Sequence, residues 1–135
     1  MSDDSKKASA VHGINVSDLR RSATGLALNR DDLSEDPFVQ FEDWFRYARE
    51  TVPMDPNAVS ISTVDARNRP SSRTVLLKYF DAKGFVFFSN FESQKARDIE
   101  ANPNVALLFF WSEAARQVRI TGNVERIPTS ETLKY

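Results

Sequence analysis

Cysteine is absent from this 135-residue chain, and histidine occurs once, as His12 in a polar leader. Without cysteine there is no disulfide, no iron–sulfur cluster, no cysteine nucleophile and no thiolate zinc site, a pattern compatible with a reducing cytoplasm. With the one histidine placed in that leader, neither a Ser-His-Asp triad nor a multi-histidine metal site is expected within the chain. No apolar run approaches the roughly 20 residues that a membrane helix needs. The opening MSDDSKKASAVHG lacks an apolar h-region, so no secretory signal is expected there. Redox or group-transfer chemistry on such a chain would have to be carried by a bound cofactor.

Charge of one sign is also lacking. The formal net charge is −1, but it is spread unevenly. Residues 1–33 hold five basic and five acidic side chains, residues 34–65 two and seven, and residues 66–135 eleven and seven. A second half that is cationic by four is too weak and too dispersed for a nucleic-acid footprint, which needs a basic stripe and a high pI. It suits one or two phosphate groups, or simply a solvated mixed surface.

What is present is one domain's worth of chain, with 41% hydrophobic and 27% charged residues. Residues 1–33 show no sustained periodicity and read as a flexible arm or lid, with a short helical turn near Val16–Arg21. The domain proper is expected over 34–135. Asp36-Pro37 opens a helix, with Asp as cap and Pro at the first helical position, where its missing N–H has no intrahelical partner. Phe38, Phe41, Phe45, Ala48 and Val52 follow as one apolar stripe, and Pro53 stops the helix.

From Ala58 the period changes to two. Strands are expected at Ala58–Asp65, with Val59, Ile61 and Thr63 on one face, then at Ser72–Phe80 and Phe85–Asn90. Asp81-Ala82-Lys83-Gly84 makes the hairpin between the last two, with Gly placed for a positive φ. A short helix capped by Ser93 spans Ser93–Asn102, and strands follow at Val105–Trp111 and Gln117–Ile127 around a turn at Ser112–Ala115. Another helix begins after Pro128, and Thr-Leu-Lys-Tyr ends it without a C-cap signal, as an interruption would. Short connections between strands suggest an antiparallel meander or small barrel, so the fold class is mainly β with flanking helices. Phe85–Phe88 and Val105–Trp111 are almost continuously apolar, so both faces of those strands need cover: a barrel interior on one side, a subunit interface on the other.

Three stretches could carry chemistry. Arg73-Thr-Val-Leu-Leu-Lys78 places two cations around an apolar run, and each must reach water, a carboxylate or an anionic ligand. Strict alternation puts Arg73 and Lys78 on opposite faces, so they serve one ligand only if the strand bulges or twists, or if the ligand wraps its end. Phe88-Ser-Asn-Phe-Glu-Ser-Gln-Lys95 is a strand-to-helix junction in which free backbone N–H groups, the Ser93 hydroxyl and the Lys95 ammonium could cradle a phosphate. It has no glycine, so it is not a P-loop. Arg116-Gln-Val-Arg-Ile-Thr121 sets Gln117, Arg119 and Thr121 on one strand face, where a glutamine can bond a flat polar heterocycle or merely face solvent.

In this order, together with Asn102-Pro103 and the final Lys134-Tyr135, these elements resemble the pyridoxamine 5′-phosphate oxidase (pyridoxine 5′-phosphate oxidase) family from about Arg20 to Tyr135. The resemblance implies an antiparallel split barrel that forms a homodimer and binds FMN at the subunit interface. It implies that FMN is lined by Arg73, Thr74, Val75, Leu76, Leu77 and Lys78, by Phe88 and Ser89, by Gln94 and Lys95, and by Gln117. It also implies that Lys78 and Tyr135 meet the phosphate of a vitamin B6 substrate, with Arg20 and Arg21 in a lid segment. The implied activity is FMN-dependent oxidation of pyridoxamine or pyridoxine 5′-phosphate to pyridoxal 5′-phosphate, with dioxygen as oxidant and hydrogen peroxide as product. Gln94 stands where the family commonly has arginine, Ser22 and Ala23 where its lid is often acidic and aromatic, and the family continues beyond Tyr135. A related flavoprotein acting on another small molecule, such as a phenazine-pathway oxidase, and a flavin-binding module without turnover are the alternatives.

Overall fold

The computed structural model describes residues 12–19, 27–88 and 93–127. Seven principal elements follow in order: α1 (Pro37–Thr51), β1 (Ala58–Val64), β2 (Pro70–Asp81), β3 (Gly84–Phe87), α2 (Gln94–Ala101), β4 (Asn104–Trp111) and β5 (Arg116–Asn123). Helix α1 starts as its sequence dictates: the Asp36 side chain accepts from the Phe38 N–H at 2.9 Å, and Pro37 occupies the first turn. Its apolar stripe turns inward. Phe41 and Ala48 are buried, and the Phe41 ring lies within 6 Å of the rings of Phe45, Phe80, Phe85, Phe109 and Trp111. The Trp111 indole N–H reaches the Pro56 carbonyl at 2.8 Å, so even the polar atom of this aromatic core has a partner.

All strand pairs are antiparallel, and the sheet order is β3-β2-β1-β4-β5. The mainly β, antiparallel expectation therefore holds, but a simple meander does not. After β3 the chain crosses through α2, and β4 returns beside β1, which is the Greek-key arrangement of four strands. The reason lies in burial. β1 has alternating buried residues Val59, Ile61 and Thr63, and it needs a neighbour on each side to become the central strand. The two-residue turn Ala82-Lys83 closes the β2–β3 hairpin, and Gly84 there has φ +144°.

Most strand ends lie within two residues of expectation, β2 running from Pro70 to Asp81 rather than from Ser72 to Phe80, and two ends differ by more. β5 stops at Asn123 rather than Ile127, because Asn123 pairs with Asn104, the first residue of β4, and the Val124 N–H bonds the Pro103 carbonyl as the last rung. β3 ends at Phe87, where its pairing with Leu77 ends, and Ser89 and Asn90 lie outside the described residues. In the arm, Ser17 and Asp18 form a turn closed by Leu19 N–H to Val16 C=O at 3.0 Å, and a 3-10 turn at Arg30–Asp32 was not anticipated. The helix expected after Pro128 falls outside the described residues, as do Arg20, Arg21 and Tyr135.

Both helices supply residues to the inner face of the sheet. Inward there are Val59, Ile61, Leu107, Phe109 and Trp111, all buried. On the other face stand Thr74 and Ser60, paired with each other, then Leu108 and Arg119 in the same row, and Phe110 opposite Gln117. Leu76 and Leu108 are over one third exposed and Phe110 is 69% exposed. Of the two apolar strands, β4 thus divides cleanly into a buried row and an exposed row.

Candidate functional site

Strand β2 alternates strictly from Ser71 to Leu77, with Arg73, Val75 and Leu77 directed inward and Thr74 and Leu76 outward. The rhythm then breaks. Leu77 pairs with Phe87 but Tyr79 pairs with Val86, so Lys78 is an extra residue in the ladder. The bulge resets the parity and lets Phe80 join the aromatic core. It does not bring Arg73 and Lys78 to one face: Lys78 is exposed, with its ammonium 6.0 Å from the Phe88 ring centroid. A shallow cavity of about 250 Å³ opens beside the bulge, lined by Phe45, Leu77, Lys78, Tyr79 and Phe80.

Arg73 instead turns under α2. Its guanidinium donates to the Thr63 hydroxyl at 2.8 Å and to the Ile61 carbonyl at 3.4 Å, and it lies 3.8 Å from the Asp98 carboxylate. At the start of α2, the Ser93 hydroxyl accepts from the Ala96 N–H at 3.2 Å, so Ser93 is the cap that the sequence indicates. Gln94 donates to the Ser71 hydroxyl at 3.2 Å and so ties the helix start to β2. Lys95 is half-buried here, and its pKa lies below the ordinary lysine value of 10.5, first because burial disfavours the ammonium and second because the Arg73 cation is near. A guanidinium and an ammonium thus lie near the first turn of α2, with the Asp98 carboxylate beside the guanidinium, and a helix N-terminus with such donors can receive an anion. The donor set is the right one for a phosphate monoester: a guanidinium, an ammonium and a neutral amide.

Gln117 lies elsewhere. It is exposed on the outer face of β5, beside Phe110, and three strand spacings separate β5 from β2, about 14 Å. Thr74, Leu76 and Gln117 share that outer face, whereas Arg73, Val75 and Leu77 do not. One chain therefore brings Arg73, Gln94 and Lys95 together and leaves Gln117 apart from them. Phe88 is exposed at the end of β3, and Ser89 lies outside the described residues.

Sequence reasoning missed Thr63 and Asp98 as partners of Arg73. Alternation alone put Thr63 inward beside Val59 and Ile61, and a hydroxyl on an apolar face calls for a polar neighbour. Asp98 had no comparable signal, because its burial depends on how α2 lies on the sheet. Among the described residues no group of acidic or histidine side chains is placed to hold a metal ion.

A family model described as pyridoxamine 5′-phosphate oxidase matches residues 47–135. The chain belongs to that family. The pyridoxine/pyridoxamine 5′-phosphate oxidase of Crocosphaera subtropica is 55% identical over 117 residues, which cover 87% of this chain and 55% of that protein. The protein of the same name from Rippkaea orientalis is 52% identical over 122 residues, covering 90% of this chain and 58% of the relative. The chain thus spans about half the length of the curated relatives it matches.

Solved structures agree on the fold. PhzG from Burkholderia lata 383, crystallised with tetrahydrophenazine-1-carboxylic acid, superposes with a TM-score of 0.74 at 24% identity, covering 82% of this chain and 56% of that one. A pyridoxamine 5′-phosphate oxidase-related, FMN-binding protein from Nostoc punctiforme superposes with a TM-score of 0.59 at 18% identity, covering 76% and 55%. The family's architecture is a split barrel, and the five-stranded antiparallel sheet with its two helices is the part of it seen here. Oxidase and FMN-binding are what the names of these relatives and of the Nostoc protein say of those proteins.

Proposed function

We propose that the protein takes part in FMN-dependent oxidation of pyridoxamine or pyridoxine 5′-phosphate to pyridoxal 5′-phosphate. The observation that carries this reading is the family match, supported by Arg73 turned under α2 beside Asp98 and by Lys95 in the first turn of that helix. Their donor set fits the phosphate of FMN. Bound FMN supplies the two-electron acceptor for the substrate C4′ carbon, and dioxygen takes those electrons on to hydrogen peroxide.

Each residue then has a task in binding rather than in proton transfer. Arg73 and Lys95 neutralise the flavin phosphate, and Gln94 and Ser93 add neutral hydrogen-bonding groups. Val75 and Leu77 support the strand from the core side, while Thr74 and Leu76 present its outer side to the flavin. Gln117 offers an amide to the edge of the flavin ring, and Phe88 and Ser89 flank it. Lys78 and Tyr135 hold the substrate phosphate, with Arg20 and Arg21 as further substrate-binding residues. The test is direct: FMN-loaded protein given pyridoxine 5′-phosphate should consume oxygen and form pyridoxal 5′-phosphate. A yellow protein that consumes none would instead support a flavin-binding module.

Lys78→Met should keep the flavin and raise KM for pyridoxine 5′-phosphate. A phosphate contact remote from the reacting carbon contributes mostly uniform binding, so kcat should change little. Loss of FMN at normal KM would reverse the assignment of Lys78 to substrate and not to flavin.

A homodimer is part of the same reading. Leu76, Leu108 and Phe110 leave an apolar outer face on the sheet. The separation of Gln117 from Arg73 and Lys95 is accounted for if a flavin takes its phosphate donors from one subunit and its glutamine from the other. Sedimentation at micromolar concentration is expected to give a dimer whose melting temperature rises with FMN, since ligand binding to the assembled state stabilises it by mass action. A monomer binding FMN at full affinity would exclude this arrangement.

A further inference from the structure

Beneath the Arg73–Lys95 pair, the inner face of the sheet holds a buried polar group. Thr63 is fully buried and Asp98 is 4% exposed. The Thr63 hydroxyl donates to Asp98 Oδ2 at 2.8 Å and accepts from Arg73 Nη1 at 2.8 Å, while Arg73 Nη2 stands 3.8 Å from the same carboxylate oxygen. Thr63 is thus a bridge: its one proton goes to the carboxylate and its lone pair takes the guanidinium. β1 supplies the hydroxyl, α2 the carboxylate and β2 the arginine, so three elements converge on one group.

We propose that Thr63 and Asp98 are positioning residues for Arg73, fixing its guanidinium so that the protein tells a phosphorylated flavin from an unphosphorylated one. The inference rests on the flavin reading above. Arginine has many rotamers, and its planar fork recognises phosphate only in a limited set of orientations. Anchoring one edge of the fork to Thr63 and Asp98 leaves the rest preoriented, which lowers the ordering cost at the moment of binding. A direct charge effect has the opposite sign. Asp98 is an anion close to an anion site, so by Coulomb repulsion alone it weakens phosphate binding, and its neutralisation would tighten it. The two roles can therefore be told apart by direction as well as by size.

The experiment compares FMN with riboflavin, which lacks the phosphate, by fluorescence titration of the wild type and of Thr63→Val, Thr63→Ser and Asp98→Asn. Thr63→Val keeps the shape of the side chain and removes the hydroxyl. It is expected to lower the ratio of FMN affinity to riboflavin affinity roughly tenfold, the scale of one hydrogen bond to a charged group. Thr63→Ser restores the hydroxyl and should restore the ratio to within about threefold of wild type on the same scale. Asp98→Asn should lower the ratio as well, although it makes the site more positive. An unchanged ratio in Thr63→Val, or equal losses for both flavins, overturns the positioning role. Tighter FMN binding by Asp98→Asn overturns it too, in favour of a charge effect. A wild type that binds both flavins equally overturns the phosphate-site reading itself, and this inference with it. Asp98→Asn keeps the test decisive if Thr63→Val does not fold.

Discussion

Replacing Phe41 by alanine should destabilise the protein by about 3–5 kcal/mol, the range for deleting a buried aromatic side chain. Phe41 is the hub of the core. Its ring centroid lies 4.8 Å from Phe80, 5.0 Å from Phe85, 5.1 Å from Phe109, 5.8 Å from Trp111 and 5.9 Å from Phe45. Those partners come from β2, β3, β4 and α1 itself, so the cavity would open where helix and sheet meet and could not be closed by one side chain moving. The melting temperature should fall by on the order of 10–20 °C. Val39 lies two positions earlier in the same helix and is exposed, and Val39→Ala should shift stability by no more than about 0.5 kcal/mol. If both substitutions proved equally mild, α1 would not be packed through this ring cluster.

Loss of either cation at the start of α2 should weaken FMN binding by about 1.5–3 kcal/mol, the scale of a hydrogen bond to a charged group, which raises Kd roughly ten- to hundredfold. Arg73→Ala and Lys95→Ala are the variants, and titration together with flavin retention on dialysis is the measurement. Arg73→Ala also removes a partner of buried Asp98, so its melting temperature should drop more than that of Lys95→Ala. Unchanged retention in both variants would remove the phosphate from this site.

The pH dependence of the same binding has a definite sign. Lys95 carries a pKa held below 10.5 by burial and by Arg73. A bound phosphate favours the ammonium and pushes that pKa back up. From neutral pH upward, where the FMN phosphate is fully ionised, affinity should be flat until the lowered pKa of the free site and should decline as pH rises through it. In that alkaline window, binding should take up a proton, and calorimetry in buffers of different ionisation enthalpy would detect it. Lys95→Ala should abolish the proton uptake along with the decline.

Much of this protein is legible in the order of its residues. The Asp36-Pro37 start, the stripe from Phe38 to Val52 and the Pro53 stop define α1, because capping and 3.6-residue periodicity are local properties. Ser93 announces α2 for the same reason. Period-two alternation located the strands and put Arg73 and Lys78 on opposite faces, where they stand. The R-x-V-L-L-K strand and the S-x-K helix start carried the family resemblance.

Tertiary structure alone decided the rest. Only sheet pairing shows that β4 joins β1, since strand order depends on contacts between residues far apart in the chain. The bulge at Lys78 exists because Phe80 must reach the aromatic core while Leu77 still faces it, a demand made by packing on both sides of one position. Asp98 looks like any surface carboxylate on a short helix. It becomes the buried partner of Thr63 and Arg73 once α2 is laid across the end of β1, where a lone charge would be costly and a bridging hydroxyl and a guanidinium offset it.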